Sequence, residues 1–430
     1  MNRVLILHYH EIWLKGGNKN YFLSRLIAAV KRALADLPVS GPQFTSERLL
    51  LKVQNEETLP VILERLRRIF GLAYVAVARE VASDAAALDA GACEMMAEKN
   101  PRTFAVRAKI ADPKFAMNSM EIERALGRQI LDHLRAQGSE VKVKLNAPEV
   151  TCWVEVIPGR TFLYADRVEG AGGLPAVTSG RLVGLLSGGF DSGVAAYKMM
   201  RRGAHVAFVH FFGPPSASRG SSRPVAEEIV RTLTPYQFTS RLYLVPFDGV
   251  QRQIVAATHE SFRVLLYRRM MGRIAREIAR AERALGLVTG DSVSQVASQT
   301  LHNLAALDRG IDVPIYRPLA GDDKTEILKL ARAIGTYKIS CEPFEDCCPR
   351  FMPRSPAIFT RPEQLDRAEF GLDIEALVTL ALEGASGRDF KFENGEVSVQ
   401  EAQPRRLQKL LAGRKEIPGT VRVRPATAGE

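Results

Sequence analysis

The chain has 430 residues, 46% of them hydrophobic, and 59 Lys plus Arg against 48 Asp plus Glu, a formal charge of +11. At roughly 100 to 200 residues per domain this length makes two to four globular units. No window approaches the roughly 20 uncharged apolar residues of a membrane span, and the apolar run Val4 to Leu7 is stopped by His8, His10 and Glu11, so the chain reads as neither membrane-spanning nor secreted.

Five cysteines spread over so long a chain make no disulfide scaffold, and a reducing, cytoplasmic compartment is expected. The basic excess points to a polyanionic partner and leaves RNA, DNA and nucleotides open. No short repeat or heptad run is present, so the organisation reads as serial domains. Val4 to His8 and Leu49 to Val53 are expected strands, and Asn20 to Leu37 and Leu59 to Phe70 carry apolar residues at helical spacing, giving an α+β unit over residues 1–75. From about Val81 the pattern restarts: an alanine-rich helix, a strand at Thr103 to Lys109, a helix at Ser119 to Arg135, and strands near Val141 and Cys152. This is a second α+β unit, residues 76–170. The Gly- and Pro-bearing stretch from Val168 to Gly180 predicts a linker, placed at 171–180.

Beyond it, apolar runs at Leu182 to Leu186, His205 to Phe211, Leu242 to Phe247 and Gly286 to Thr289 alternate with helical segments at Gly193 to Arg202, Ala226 to Leu233 and Arg263 to Arg280. Such alternation predicts a doubly wound parallel sheet with crossover helices over 181–360. Residues 361–430 are less regular and read as an extension of unassigned role, mobile after Pro418.

The most informative stretch is Leu185-Leu186-Ser187-Gly188-Gly189-Phe190-Asp191-Ser192, where a buried strand gives way to a helix. The two glycines let the backbone turn with its N–H groups exposed, the helix N-terminus adds about half a positive charge, and Ser187 and Ser192 offer hydroxyl donors. A pyrophosphate suits that description. Naked phosphate would repel Asp191, so Asp191 makes sense as a ligand to a Mg²⁺ that bridges the phosphates. The spacing matches neither the dinucleotide fingerprint nor the Walker loop. The bland alternative is a glycine-rich turn with no ligand.

This loop resembles the PP-loop of ATP pyrophosphatases. Glu11-Ile12-Trp13-Leu14-Lys15-Gly16, Phe104 to Lys109, Gly172-Gly173-Leu174-Pro175, Val288 to Ser292 with Gln295 to Thr300, Asp323-Lys324-Thr325-Glu326-Ile327 and Glu345-Asp346-Cys347-Cys348 resemble, in order, the tRNA 4-thiouridine synthetases. The resemblance implies an N-terminal ferredoxin-like domain, a THUMP domain that binds tRNA, and a PP-loop domain of the adenine nucleotide α-hydrolase type. It implies that ATP activates O4 of uridine 8 and that sulfur then displaces AMP to give 4-thiouridine. Carried over, the ATP contacts are Leu185, Leu186, Ser187, Gly188, Gly189, Asp191, Ser192, His210, Phe211, Arg268, Gly290 and Gln299, with Mg²⁺ on Asp191. Alone, Arg268 also reads as part of a solvated basic helix face and Gly290 as a plain turn glycine.

In the same resemblance Cys347 is the essential sulfur-handling cysteine, with Cys348 as fallback. Cys93 and Cys152 read as core thiols. Some relatives end in a rhodanese domain that carries the persulfide, but no cysteine follows Cys348. The expected donor is therefore external: a cysteine desulfurase, a separate rhodanese, sulfide, or an iron–sulfur centre. The C-x5-C-C spacing of Cys341, Cys347 and Cys348 speaks against an iron–sulfur cluster. Sulfur donation to thiamine thiazole and a homodimer are secondary expectations from the family.

For the RNA surface, residues 1–80 hold 12 Lys plus Arg against 7 Asp plus Glu, whereas residues 81–172 hold 12 against 13. Local patches must therefore serve in the second stretch. Lys15 and Lys19, with Arg25, Lys31 and Arg32, form one run, and Lys99, Arg102, Arg107, Lys109 and Lys114 another, both suited to phosphate; solvated faces are the alternative. Two competing functions are a PP-loop ligase with a nitrogen nucleophile, which needs no Cys347, and a tRNA-binding module whose loop serves folding only.

Overall fold

The apolar run at the N-terminus forms a buried strand, β1 (Arg3–His8), which lies second from the middle of a large sheet. The computed structural model describes residues 3–214, 220–345, 356–402, 407–409 and 411–412, and the chain divides into two units, Met1–Ala176 and Val177–Glu430. The basic stretch after Pro418 and the Asp346-Cys347-Cys348 element fall outside the described residues.

In the first unit β1 is followed by a 3₁₀ stretch at Glu11–Asn18, then α1 (Lys19–Ala33), β2 (Val39–Thr45), β3 (Arg48–Val53), α2 (Leu59–Arg67) and β4 (Tyr74–Val81). There follow α3 (Ala85–Lys99), β5 (Thr103–Ile110), α4 (Ser119–Ala136), β6 (Lys142–Val143), β7 (Val150–Ile157) and β8 (Arg160–Glu169). Helical periodicity places Leu23, Leu26, Val30 and Ala33 of α1 on one buried face. In α4 it does the same for Ile122, Leu126, Ile130 and Leu134, behind an Asn118–Glu121 capping box.

The two α+β patterns share one sheet, of order β2-β3-β1-β4-β8-β7-β5-β6. β4 of the first pattern pairs antiparallel with β8 of the second, from Tyr74–Glu169 to Val81–Thr161. The stretch read as a linker starts inside this sheet: Val168 and Glu169 belong to β8, and Gly172 exchanges backbone hydrogen bonds with Gly71 and Leu72, each 2.7 Å long.

The second unit contains β9 (Arg181–Leu185), α5 (Phe190–Arg201), β10 (His205–Phe212), β11 (Gly220–Ser221), α6 (Arg223–Leu233), β12 (Thr239–Pro246), α7 (Asp248–Ala257) and α8 (Arg263–Glu282). It continues with β13 (Leu287–Val288), α9 (Leu301–Asp308), β14 (Ile315–Tyr316), α10 (Lys324–Ile334), α11 (Tyr337–Ser340) and β15 (Phe344–Glu345). Last come α12 (Pro362–Ala368), α13 (Ile374–Glu383), β16 (Ser386–Glu393) and β17 (Glu396–Ala402). The sheet order is β14-β13-β9-β10-β12-β16-β17, in which β14 to β12 run parallel.

The C-terminal part is therefore no appendage. β16 pairs antiparallel with β12 and β17 with β16, completing the sheet, while Leu365, Leu377, Val378 and Leu382 enter the same core as Val209, Tyr243 and Ile274. A sequence signal for the hairpin exists at Asn394-Gly395, both of which take positive φ as a tight hairpin turn demands. A second clasp joins helices: Arg269 of α8, fully buried, meets Asp366 at 2.8 Å and Glu369 at 2.9 Å and donates to the Ala306 carbonyl at 2.9 Å.

In the first unit a buried carboxylate ties distant strands. Glu155 of β7 is 1% exposed, pairs with Arg48 of β3, accepts from the Tyr164 hydroxyl at 3.2 Å and lies 3.3 Å from His8 of β1. Burial pushes the Glu155 carboxyl up, but His8 and Arg48 outweigh it and hold the group at about 2, while burial keeps His8 below its ordinary value. At neutral pH, where His8 is uncharged, Arg48 is the charge partner of Glu155. Because the folded carboxyl titrates below its ordinary value of 4.5, its stabilisation is full above about pH 4.5 and is lost as pH falls towards about 2. Both tryptophans, Trp13 and Trp153, lie in this unit, so urea unfolding followed by Trp fluorescence reads it directly. Glu155→Gln is expected to lower stability at pH 7 by about 3 kcal/mol, since it leaves Arg48 without its carboxylate, and to flatten the loss of stability between about pH 4.5 and 2. An unchanged acid slope would dismiss the assignment.

Candidate functional site

β9 ends at Leu185 on the carboxyl edge of the parallel sheet, the edge at which open α/β sheets place ligands. The chain then turns through Ser187 to Gly189, and α5 begins at Phe190 with Gly189 as its N-cap. Neither Gly188 nor Gly189 takes a positive φ. The turn is instead held by hydroxyls: Ser192 Oγ accepts the Ser187 N–H at 3.1 Å, and Ser187 Oγ accepts the Gly189 N–H at 3.2 Å. The loop is thus ordered before any ligand arrives.

Beside it lies a cavity of about 510 Å³, lined by Leu185, Leu186, Ser187, Asp191, Ser192, Phe211, Arg268, Gly290 and Gln299 among others. Nine of the residues carried over from the family motif thus share one wall system. A larger depression of about 620 Å³ lies at the opposite, amino edge of the same sheet. Its charged groups already serve one another, Arg241 gripping Asp389 at 2.6 and 2.7 Å and meeting Glu282 at 3.2 Å; without a glycine turn or free helix end it is the weaker candidate for a nucleotide.

The His210 side chain and Gly290 also support the loop. His210 is fully buried and absent from the cavity lining. Its Nδ1 lies 2.9 Å from the Leu186 carbonyl and its Nε2 2.8 Å from Ser222 Oγ. A carbonyl only accepts, so Nδ1 carries the proton and Nε2 receives the Ser222 hydroxyl. Burial holds this imidazole down at about 4, hence neutral. Its side chain braces the strand before the loop. Gly290 likewise serves the loop itself: a Cβ there would sit 2.7 Å from Ser192 N and 2.8 Å from Asp191 C. The glycine allows the β13 end to press against the first turn of α5.

Five polar residues that sequence reading did not assign complete the site. Lys324 Nζ meets Asp191 Oδ1 at 2.6 Å, and Gln295 Nε2 donates to Asp191 Oδ2 at 3.1 Å. Asp291, 4% exposed, pairs with Arg268 and with Arg317 at 3.2 Å, and accepts from Thr289 at 2.8 Å and Gln299 at 3.3 Å. Burial pushes the Asp291 carboxyl up, yet Arg268, Thr289 and Arg317 more than offset this and hold it below its usual range. Lys324 and Asp291 stand in motifs already noted; for Arg317 no local signal exists, because its partners come from other elements.

Asp191 supplies one carboxylate to the loop, and no group of three or more His, Cys, Asp or Glu suited to a metal exists among the described residues. That setting fits a Mg²⁺ delivered on a triphosphate, which keeps much of its water, with Asp191 giving an oxygen. Of the cysteines described, Cys152 is buried and pushed by burial up to about 12, and Cys93 is also raised by burial, as inert core thiols are. Cys347 and Cys348 lie outside the described residues. The strand leading to them, β15, pairs in parallel with Gly220–Ser221, next to the Ser222 that binds His210.

The basic residues expected to meet RNA lie in the first unit. Lys19 is paired with Glu47 and stands 4.0 Å over the Trp13 ring, and Lys15 stands 5.0 Å over Phe22. Lys99 meets Asp166 at 2.6 Å, Arg107 donates to the Leu145 carbonyl at 2.8 Å and Lys109 lies 5.6 Å over Trp153. Arg102 and Lys114 are exposed. No helix among the described residues is long and apolar enough to cross a membrane.

A parallel sheet whose first strand runs into a hydroxyl-tied glycine turn, beside a cavity of nucleotide size, defines an α/β protein of the PP-loop class. Residues 177–374 match the thiamine biosynthesis protein (ThiI) model, 4–76 the ThiI ferredoxin-like domain and 82–166 the THUMP domain. A probable tRNA sulfurtransferase of Thermus thermophilus is 43% identical over 88% of this chain and 92% of its own length. One from Caldanaerobacter subterraneus is 37% identical over 88% of this chain and 97% of its own. The crystal structure of a 4-thiouridine synthetase–RNA complex with bound ATP superposes with a TM-score of 0.78 at 33% identity, covering 90% of this chain and 100% of that one. The chain belongs to the tRNA sulfurtransferase family.

The Gly290 contact yields a direct check. Gly290→Ala forces backbone against backbone, costing roughly 1–3 kcal/mol of local repacking, and is expected to weaken Mg-ATP binding about tenfold or more in calorimetry while the melting temperature falls only slightly. Unchanged affinity would show that the loop position does not govern the cavity.

Proposed function

We propose that this protein is an ATP-dependent tRNA uracil 4-sulfurtransferase that adenylates O4 of uridine 8 and replaces that oxygen with sulfur. The observation that carries the reading is the cavity of about 510 Å³ in which Ser187, Asp191, Ser192, Arg268 and Gln299 converge, in a chain whose relatives are tRNA sulfurtransferases and whose structural neighbour holds ATP and RNA. In this reading the Gly188 N–H and the α5 N-terminus receive the phosphates, on a turn that the Ser187 and Gly189 N–H groups hold through their hydroxyl acceptors. Asp191 shares the Mg²⁺, Arg268 neutralises phosphate charge, and Phe211 and the strand ends border the base. A Mg²⁺ bound with the nucleotide would be held by Asp191 and would supply neutralisation of phosphate charge.

The chemical logic is leaving-group replacement. A carbonyl oxygen leaves poorly, whereas AMP leaves well once O4 carries the adenylate. Sulfur arrives through Cys347, with Cys348 as the second candidate and an external persulfide donor upstream. The pairing of β15 with β11 supports this, because it brings the chain entering the cysteine element beside the strand end that His210 braces. The basic residues of the first unit, Lys15, Lys19, Lys99, Arg102, Arg107, Lys109 and Lys114, are the proposed tRNA contacts, consistent with the THUMP match.

The test is mass spectrometry of nucleosides from unmodified tRNA incubated with the protein, Mg-ATP and either sulfide or a cysteine desulfurase with cysteine. 4-Thiouridine is the expected product. Pyrophosphate release without thiouridine would favour a nitrogen nucleophile instead. Asp191→Asn is expected to lower pyrophosphate release on the order of 100-fold while tRNA binding persists. With the desulfurase as sulfur source, Cys347→Ser is expected to stop thiolation and leave pyrophosphate release measurable, whereas sulfide bypasses the relay; full desulfurase-dependent thiolation by that variant would remove Cys347 from the mechanism.

A further inference from the structure

Arg268 is a proposed phosphate contact, yet its guanidinium is already engaged. It pairs with Asp291 through Nη2 and donates through Nη1 to the Ser298 carbonyl at 2.9 Å and the Ser298 hydroxyl at 3.1 Å. Asp291 is 4% exposed, and a buried carboxylate stripped of its cation is costly. Drawing Arg268 towards a phosphate would leave such a carboxylate unless a second cation stays behind. Arg317 is that cation. Its Nε lies 3.2 Å from Asp291 Oδ2, on the opposite oxygen from Arg268, and its two terminal nitrogens hold Asp308 in a fork at 2.8 and 2.5 Å. The fork fixes the guanidinium plane, so Arg317 cannot swing away with Arg268.

The four groups also form a partition. Arg268 and Asp291 line both the nucleotide cavity and a smaller one of about 60 Å³ behind it, whereas Asp308 and Arg317 line only the inner one. Arg268 reaches the larger cavity and Arg317 does not, although both meet the same carboxylate.

Resting on the assignment of Arg268 to the nucleotide, we propose that Arg317 is a positioning residue for ATP binding: it keeps Asp291 neutralised so that Arg268 is free to share its charge with the nucleotide phosphates. Arg317 touches no substrate. Its removal makes Arg268 the sole partner of a buried charge, and the nucleotide must then compete with Asp291 for it.

The experiment is a double-mutant cycle on the full chain, reading the Mg-ATP dissociation constant by calorimetry for wild type, Arg268→Gln, Arg317→Gln and the double variant. Each single change is expected to weaken binding about tenfold, and the double variant is expected to be within about twofold of Arg268→Gln alone, because one acts through the other. The turnover number for thiolation at saturating ATP is expected to stay within about threefold of wild type in Arg317→Gln, with the loss confined to KM for ATP. Multiplying effects, about 100-fold in the double variant, would mean that Arg317 acts independently of Arg268 and would overturn the proposal. So would unchanged affinity in Arg317→Gln. If Arg317→Gln does not fold, Arg317→Met runs the same cycle, since it also removes the charge while keeping most of the apolar stem. Wild-type affinity in Arg268→Gln would remove the nucleotide assignment itself, a failure distinct from that of Arg317.

Discussion

The contact between the end of β13 and the first turn of α5 is the constraint on which the nucleotide cavity depends. β13 and β9 are parallel neighbours, so the segments leaving their carboxyl ends open side by side. Gly290 brings one backbone against the other at a separation that no Cβ would permit. Ser187 and Ser192 tie the loop from within, and His210 holds the Leu186 carbonyl from beneath. With the loop fixed on three sides, the first turn of α5 is held in place, which is the condition under which such dipoles act most strongly.

Charge is handled in the same way in both units: several buried ions take partners from distant parts of the chain. Glu155 is matched by Arg48, Asp291 by Arg268 and Arg317, and Arg269 by Asp366 and Glu369. Pairs of this kind add modest net stability, because desolvation offsets much of the attraction, but they penalise any arrangement that separates the partners. In the first unit the pair joins β3 to β7. In the second, Arg269 fastens α12 to α8, which brings the C-terminal helices into the main core.

Much of the site was legible because its residues are contiguous. Ser187 to Ser192 form the glycine turn expected from local sequence, and the strand and helix on either side are visible in hydrophobic spacing alone. The roles of His210 and Gly290 were not legible, since the first depends on a hydroxyl 12 residues away and the second on backbone 98 residues upstream, at Ser192. The C-terminal strands were missed for a different reason. β16 buries only Gly387, Phe390 and Phe392, so its pattern resembles a polar extension, and only the Asn394-Gly395 turn betrays the hairpin.

Sequence by itself determined the family, the PP-loop, the parallel α/β layout of the second unit and the core character of Cys93 and Cys152, because each rests on short-range pattern or on contiguous motif. Tertiary structure alone decided that the two N-terminal α+β patterns share one sheet through β4 and β8, that the last strands complete the second sheet, and that Asp291 gathers Arg268 and Arg317 at the cavity wall. Strand pairing and ion pairing are set by which segments meet in space. Backbone hydrogen bonds carry no side-chain code for their partner strand, and a carboxylate accepts any guanidinium that packing brings within reach.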